Sequence, residues 1–207
     1  MYLIEDTQMI KHISMFVLLS ALFACNKDKQ KDTEPVETGT TTQEEVLPIG
    51  FIEKENCGWS IGEKACDFNL LDKNDVPWQL SKHAGDLILL DLSAMWCGPC
   101  QAAAQTVQAT EDEYRAQGFH YVTILLADSQ NSDVDREEVD SWSQIFGIIS
   151  PAVLQGNREL LSSSGISYGF PVSSWPTFIL IDRNGHVAAG IYGFNEEYIK
   201  QIIESNL

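Results

Sequence analysis

The chain has 207 residues, 44% of them hydrophobic, and a formal net charge of −17. Setting aside its N-terminal segments leaves about 160 residues, enough for one domain with its own core. So negative a surface excludes nucleic acid as an expected partner, because phosphate binding needs clustered Lys and Arg, and the charge is read as solubility.

From the N-terminus, Glu5 and Asp6 are wrong for the basic start of an export signal, so the biological start is expected at Met9. Lys11 and His12 then precede an apolar run, Ile13 to Ala24, too short to span a bilayer and about the length of a signal-peptide core. Leu22-Phe23-Ala24-Cys25 resembles a bacterial lipobox, with a bulkier Phe23 than the pattern prefers. Residues 1–25 are therefore expected to be a signal peptide ending at a lipidated Cys25, anchored by several acyl chains and facing the periplasm or cell exterior. A plain signal peptide or an uncleaved anchor remains open. Residues 26–47 are polar, with Thr40-Thr41-Thr42 as low complexity, and read as a flexible tether. The folded domain is expected over 48–207.

Cys57 and Cys66 flank the turn-rich Gly58-Trp59-Ser60-Ile61-Gly62. In an oxidising compartment they are expected to form a structural disulfide, closing a loop of about ten residues and worth about 2–3 kcal/mol. A second exchanging dithiol is the other reading. Asp67 to Leu80 alternates apolar and polar residues around Lys73-Asn74-Asp75, a strand–turn–strand pattern. Leu87-Ile88-Leu89-Leu90 opens a strand to Ser93, apolar on both faces and therefore buried on both. Trp96-Cys97-Gly98-Pro99-Cys100 follows and turns into a helix expected from about Pro99 to Ala116, ending before Gly118. Pro99 suits a first helical turn, where its missing N–H is not needed. Phe119 to Ala127 is the next strand, parallel to the first by a right-handed crossover. Asp128 to Asp133 is a polar loop, and Asp135 to Phe146 has Val139, Trp142, Ile145 and Phe146 at helical spacing. Gly147 to Gly156 is an apolar run broken by Pro151, and Arg158 to Ser164 suits a short helix. Pro176 to Asp182 is a strand, Asn184-Gly185 a hairpin turn, and His186 to Tyr192 the partner strand. Asn195 or Glu196 to Ser205 closes the chain as a helix with Tyr198, Ile199, Ile202 and Ile203 on one face.

A C-x-x-C between a strand and a helix is the setting of a redox pair. Rival readings are an inert disulfide and half a zinc site, but no second ligand pair follows and residue 101 is Gln rather than the His of a haem motif. Cys97, ahead of the helix, is expected to be the exposed nucleophile, its thiolate favoured by the helix terminus; Cys100, one turn in, is the resolving thiol. Asp91 lies on an otherwise apolar strand, where a lone acid is costly and needs a reason. A partly exposed acid paired with a neighbour is the plainer explanation.

The pentapeptide Trp96 to Cys100 resembles the thioredoxin superfamily. Ser174-Trp175-Pro176-Thr177 is similar to the family's cis-proline loop, and Phe178 to Gly185 to the strand and turn after it. From roughly Gly62 onward the chain resembles the membrane-tethered oxidoreductases of the TlpA/ResA kind. The resemblance implies an α/β thioredoxin-like fold, a central mixed sheet flanked by helices, with an N-terminal β-hairpin extension. It places Asp91 beneath the cysteines as the acceptor of the Cys100 proton, although the lysine thioredoxin keeps near that acid has no counterpart in Phe119 to Ala127. It places Trp96, Trp175, Pro176 and Thr177 along the substrate cleft, while core packing is an equally ordinary use of the two tryptophans. The partners it implies are protein disulfides, such as those of an apocytochrome c, and a membrane dithiol donor. No cofactor and no metal are expected, and His83, His120 and His186 stand isolated without a catalytic role. A thiol peroxidase of the peroxiredoxin kind would want Thr-x-x-Cys, where Ser93 to Cys97 is one residue too long. A copper-delivery protein would want its cysteines three residues apart with a distal His.

Overall fold

The computed structural model describes residues 48–207. The expected signal segment, Cys25 and the tether lie outside the described residues. Among those described, no helix is long and apolar enough to cross a membrane.

The centre of the sheet is β4, Leu87–Ala94, with all eight residues buried. The strands before it are β1 (Gly50–Phe51), β2 (Phe68–Asp72) and β3 (Pro77–Gln79), where β2 and β3 form the expected antiparallel hairpin. The strands after it are β5 (Phe119–Ala127), β6 (Ala152–Gln155), β7 (Thr177–Ile181) and β8 (Val187–Tyr192). They assemble in the order β1-β2-β6-β5-β4-β7-β8, with β3 paired to β2. β4 runs parallel to β5 and antiparallel to β7, and Asp91 stands opposite Thr123 on one side and Phe178 on the other. β6 is the element the apolar run around Pro151 did not announce. It pairs parallel to β5 and antiparallel to β2, and so joins the hairpin extension to the thioredoxin-like core.

Side chains alternate across a strand, so β4 feeds two cores. Its odd-numbered face carries Leu87 and Leu89, packed with buried residues of four helices: α1 (Gly98–Ala104), α2 (Val107–Tyr114), α3 (Arg136–Ile145) and α4 (Glu196–Glu204). Its even-numbered face carries Ile88, Leu90 and Leu92, packed with Phe51, Cys66, Phe68 and Phe170. The ring centroids of Phe51 and Phe68 lie 5.0 and 5.5 Å from that of Phe170. The N-terminal extension and the segment before Pro176 thus supply the aromatic cover of the second face.

Three expectations are corrected. The single helix from Pro99 to Ala116 is two helices, broken at Gln105 and Thr106. The Thr106 hydroxyl donates to the Ala103 carbonyl at 2.8 Å, as does its own N–H at 2.9 Å, and this local bonding competes with continued helix. Ile145 on α3 is 68% exposed and Tyr198 on α4 is 50% exposed, so neither belongs to the buried stripe of its helix. Arg158 to Ser164 forms two short 3-10 turns, Arg158–Leu160 and Ser162–Ser164, instead of one helix. At Gly118 the backbone turns left-handed (φ 72°), and a Cβ there would lie 2.9 Å from Asp86 Oδ1; glycine is what the site admits.

Candidate active site

The end of β4 delivers the motif. Met95 N–H donates to the Ala127 carbonyl, Gln101 Nε2 to the Met95 carbonyl at 2.8 Å, and Cys97 N–H to the Ala94 carbonyl. Cys97 is the N-cap of α1, with extended backbone (φ −85°, ψ 113°) and Pro99 in the first turn. Its Sγ accepts the Cys100 N–H at 3.1 Å, so one of the free donors of the helix start is aimed at this sulfur, an arrangement that favours a thiolate. Cys97 and Cys100 are joined as a disulfide. The expected exposure of Cys97 is corrected: in this oxidised form it is 3% exposed and Cys100 is fully buried. Gly98 and Pro99 between the two cysteines are both exposed.

Asp91 lies on the odd-numbered face of β4, the face whose core includes Cys97 and Cys100. It is completely buried, not a partly exposed acid at a strand end. Burial pushes its pKa up to about 7, and the hydroxyls of Ser93, Tyr121 and Thr123 pull it part of the way back. Ser93 Oγ donates to Asp91 Oδ1 at 2.5 Å and Tyr121 Oη to Oδ2 at 3.4 Å. A carboxyl poised near neutrality, holding hydroxyl partners but no cation, is suited to taking and returning one proton. The residues that sequence reasoning missed are these three hydroxyls. Their signal was present as polar groups at i and i+2 on apolar strands, but only the register Asp91↔Thr123 brings β5's share to the acid.

The Trp175–Pro176 bond is cis. Pro176 is buried at the head of β7, and its carbonyl accepts from Gly193 N–H at 2.8 Å. Among the described residues the Trp175 backbone makes no backbone hydrogen bond, and it borders the motif loop. Trp96, 44% exposed, meets Trp175 edge to face with ring centroids 5.9 Å apart. The two tryptophans therefore form an apolar rim beside the cysteines. Thr177 is buried and its hydroxyl donates to the Ser174 carbonyl at 2.7 Å, so it holds the proline loop.

Cys57 and Cys66 form the expected second disulfide. His83 and His120 are not isolated, contrary to expectation: chain topology brings their ring centroids to 4.7 Å. Glu111 and Asp86 beside His120 raise its pKa, while burial lowers that of His83. His186 stays by itself near Asp182.

The sheet, the capped cysteine pair, the buried acid and the cis-proline loop together define a thiol-disulfide oxidoreductase of thioredoxin-like fold. The chain belongs to the AhpC/TSA family, whose sequence profile matches residues 61–189. No curated protein matches it in sequence. Among solved structures it is similar to a Chlorobium tepidum protein provisionally named thiol:disulfide interchange protein DsbE. Identity is 27% and the TM-score 0.59, over 72% of this chain and 99% of that one. Two more distant structures share the fold. One is a thiol:disulfide interchange protein of the thioredoxin family from Chlorobium tepidum TLS, at 22% identity and TM-score 0.56, covering 69% of this chain and 94% of its own. The other is the thioredoxin domain of a thiol-disulfide oxidoreductase from Bacteroides vulgatus, at 14% identity and TM-score 0.58, covering 72% and 99%.

Proposed function

We propose that this protein reduces disulfides of other proteins outside the cytoplasm, through Cys97 and Cys100, from a position tethered to a membrane by a lipid on Cys25. The observation that carries the reading is the Cys100 N–H aimed at Cys97 Sγ, on the sheet face that also carries the fully buried Asp91. The Cys97 thiolate attacks one sulfur of a substrate disulfide; a Cys97–substrate bond forms, the substrate bond breaks, and the leaving sulfur takes a proton from water. Cys100 passes its proton to Asp91 and attacks Cys97 sulfur. The Cys97–substrate bond breaks, the released substrate sulfur takes a proton from water so that the substrate leaves as a dithiol, Asp91 gives its proton back to solvent, and Cys97–Cys100 carries the two electrons' worth of oxidation. A membrane dithiol donor restores the pair. Trp96 and Trp175 rim the cleft, and the open backbone at Trp175 offers strand-like pairing to an extended substrate segment.

The Chlorobium tepidum relative's name, thiol:disulfide interchange protein, supports this chemistry. Export is supported by the apolar run ending at Cys25 and by a Cys57–Cys66 disulfide of the kind oxidising compartments preserve. Against a thiol peroxidase, the hydroxyl of Ser93 is taken by Asp91. The test is turnover on insulin disulfides with dithiothreitol, beside peroxide consumption and copper titration on the same sample. Insulin reduction without peroxide consumption supports the reading, and the reverse overturns it. Palmitate labelling that disappears in Cys25→Ala supports the anchor; unchanged labelling refutes it.

A further inference from the structure

At the end of the sheet away from the cysteines, three potential ligands converge that are dispersed in sequence. His83 ends the 3-10 turn Leu80–His83, Asp86 immediately precedes β4, and His120 is the second residue of β5. One nitrogen of each histidine and one oxygen of Asp86 all lie within 4.8 Å of one another. The pair His120 Nε2 and Asp86 Oδ2 is already at 3.1 Å. Zinc with bonds of about 2.0–2.1 Å needs tetrahedral ligand atoms roughly 3.3 Å apart, so only His83 has to close in, by at most about 1.5 Å.

The surroundings fit a metal. Glu111, 1% exposed, places Oε1 3.7 Å from His120 Nδ1, the ring nitrogen that Asp86 does not use. A carboxylate behind the far nitrogen is what fixes a metal-binding imidazole with its other nitrogen free. Glu111 is itself held, by Arg115 at 3.1 Å and by the Tyr121 N–H. His83 stacks on Trp78 of β3, centroids 4.5 Å apart at 14°, which limits its ring to small motions. The three groups are half-buried and open onto clefts of about 300 and 330 Å³ that both include His83, so an ion and a water ligand have access. Arg115 is committed to Glu111, and Arg183 to the carbonyls of Gly85 and Gln117.

We propose that His83, Asp86 and His120 bind one divalent transition-metal ion of the zinc class, which fastens the N-terminal hairpin to the core strands. Two imidazoles and one carboxylate suit such an ion better than magnesium or calcium, which prefer all-oxygen shells. The site stands roughly 20–25 Å from the cysteines, the length of β4 at strand rise, so its role is to stabilise and not to react.

The test uses the full-length chain stripped with a chelator, with disulfides intact and no reductant. Zinc titrated by calorimetry is expected to bind at one ion per chain and to raise the melting temperature. His83→Ala and His120→Ala are each expected to weaken zinc by about 10–100-fold, the usual effect of disturbing a ligand or its support. Cobalt in the wild-type protein is expected to give visible d–d bands without the near-ultraviolet band of a thiolate ligand. Zinc is expected to shift the ring resonances of His83 and His120 and leave those of His186 in place, a readout that stands even if the variants fail to fold. No saturable zinc uptake, a thiolate band, or resonances of His83 and His120 that ignore zinc would overturn the proposal. In that event the cluster is an ion-pair network only.

Discussion

Cys57–Cys66 and Cys97–Cys100 are the same covalent bond in different surroundings. Around Cys57–Cys66 the neighbouring chain is bound on every side. Gly58 N–H donates to the Lys64 carbonyl, Ala65 N–H to Gly185, and Val187 N–H to Glu63. Cys66 is fully buried among Phe51, Phe68 and Phe170, and the near contact of Cys57 Sγ is the Glu53 carbonyl. Among the described residues no helix N–H donates to either of these sulfurs. Around Cys97–Cys100 a helix N–H points at sulfur, the same sheet face carries a fully buried acid, and an apolar rim lies alongside. The two bonds differ in their neighbours, and on the proposed function those neighbours decide which one reacts.

The sharpest way to break that contrast is to exchange the roles of the two pairs. Cys97→Ser is expected to abolish insulin reduction, a loss of several orders of magnitude. Cys57→Ser with Cys66→Ser is expected to leave turnover within about twofold and to lower stability by about 2–3 kcal/mol, measured by urea unfolding. Loss of turnover in a folded double variant would make the first disulfide a partner in exchange.

Asp91→Asn probes the acid, and the sign of its effect can be worked out. A carboxyl whose pKa is raised by folding binds more protons in the native state between about pH 4 and 7, so stability falls as pH rises through that window and stays low above it. Removing the charge is expected to stabilise the oxidised protein at pH 8 by on the order of 4 kcal/mol, with little change at pH 4. The same variant is expected to lose roughly tenfold or more in the resolution step and to flatten its rise through pH 7. Tyr121→Phe deletes one hydroxyl that favours the ionised acid, and is expected to move that rise to higher pH while keeping most of the rate. Trp96→Ala is expected to give the smallest effect, a KM raised a few-fold for protein substrates and kcat unchanged.

How much was legible depends on how local the determinant is. Phe119 to Ala127 read as a strand with the bounds it has, because apolar continuity between Gly118 and Asp128 defines it. Cys97, Cys100 and Pro176 carry their chemistry in contiguous residues. Asp91 was recognisable by its oddity on an apolar strand, but its partners were not, since Tyr121 and Thr123 reach it only through strand register. The helix break at Thr106 depends on a hydroxyl choosing a carbonyl, which composition does not reveal. His83 and His120 looked isolated because 37 positions separate them, and the parallel pairing Leu87↔Phe119 is what closes the gap.

The most direct measurement of the central claim is covalent trapping by the two single-cysteine forms of the pair. Each is mixed with an oxidised protein substrate and resolved by mass. Cys100→Ser is expected to accumulate a mixed disulfide mapped to Cys97, and Cys97→Ser to accumulate none. Adducts forming equally well on Cys100, or mapping to Cys57 or Cys66, would contradict the assignment of the nucleophile.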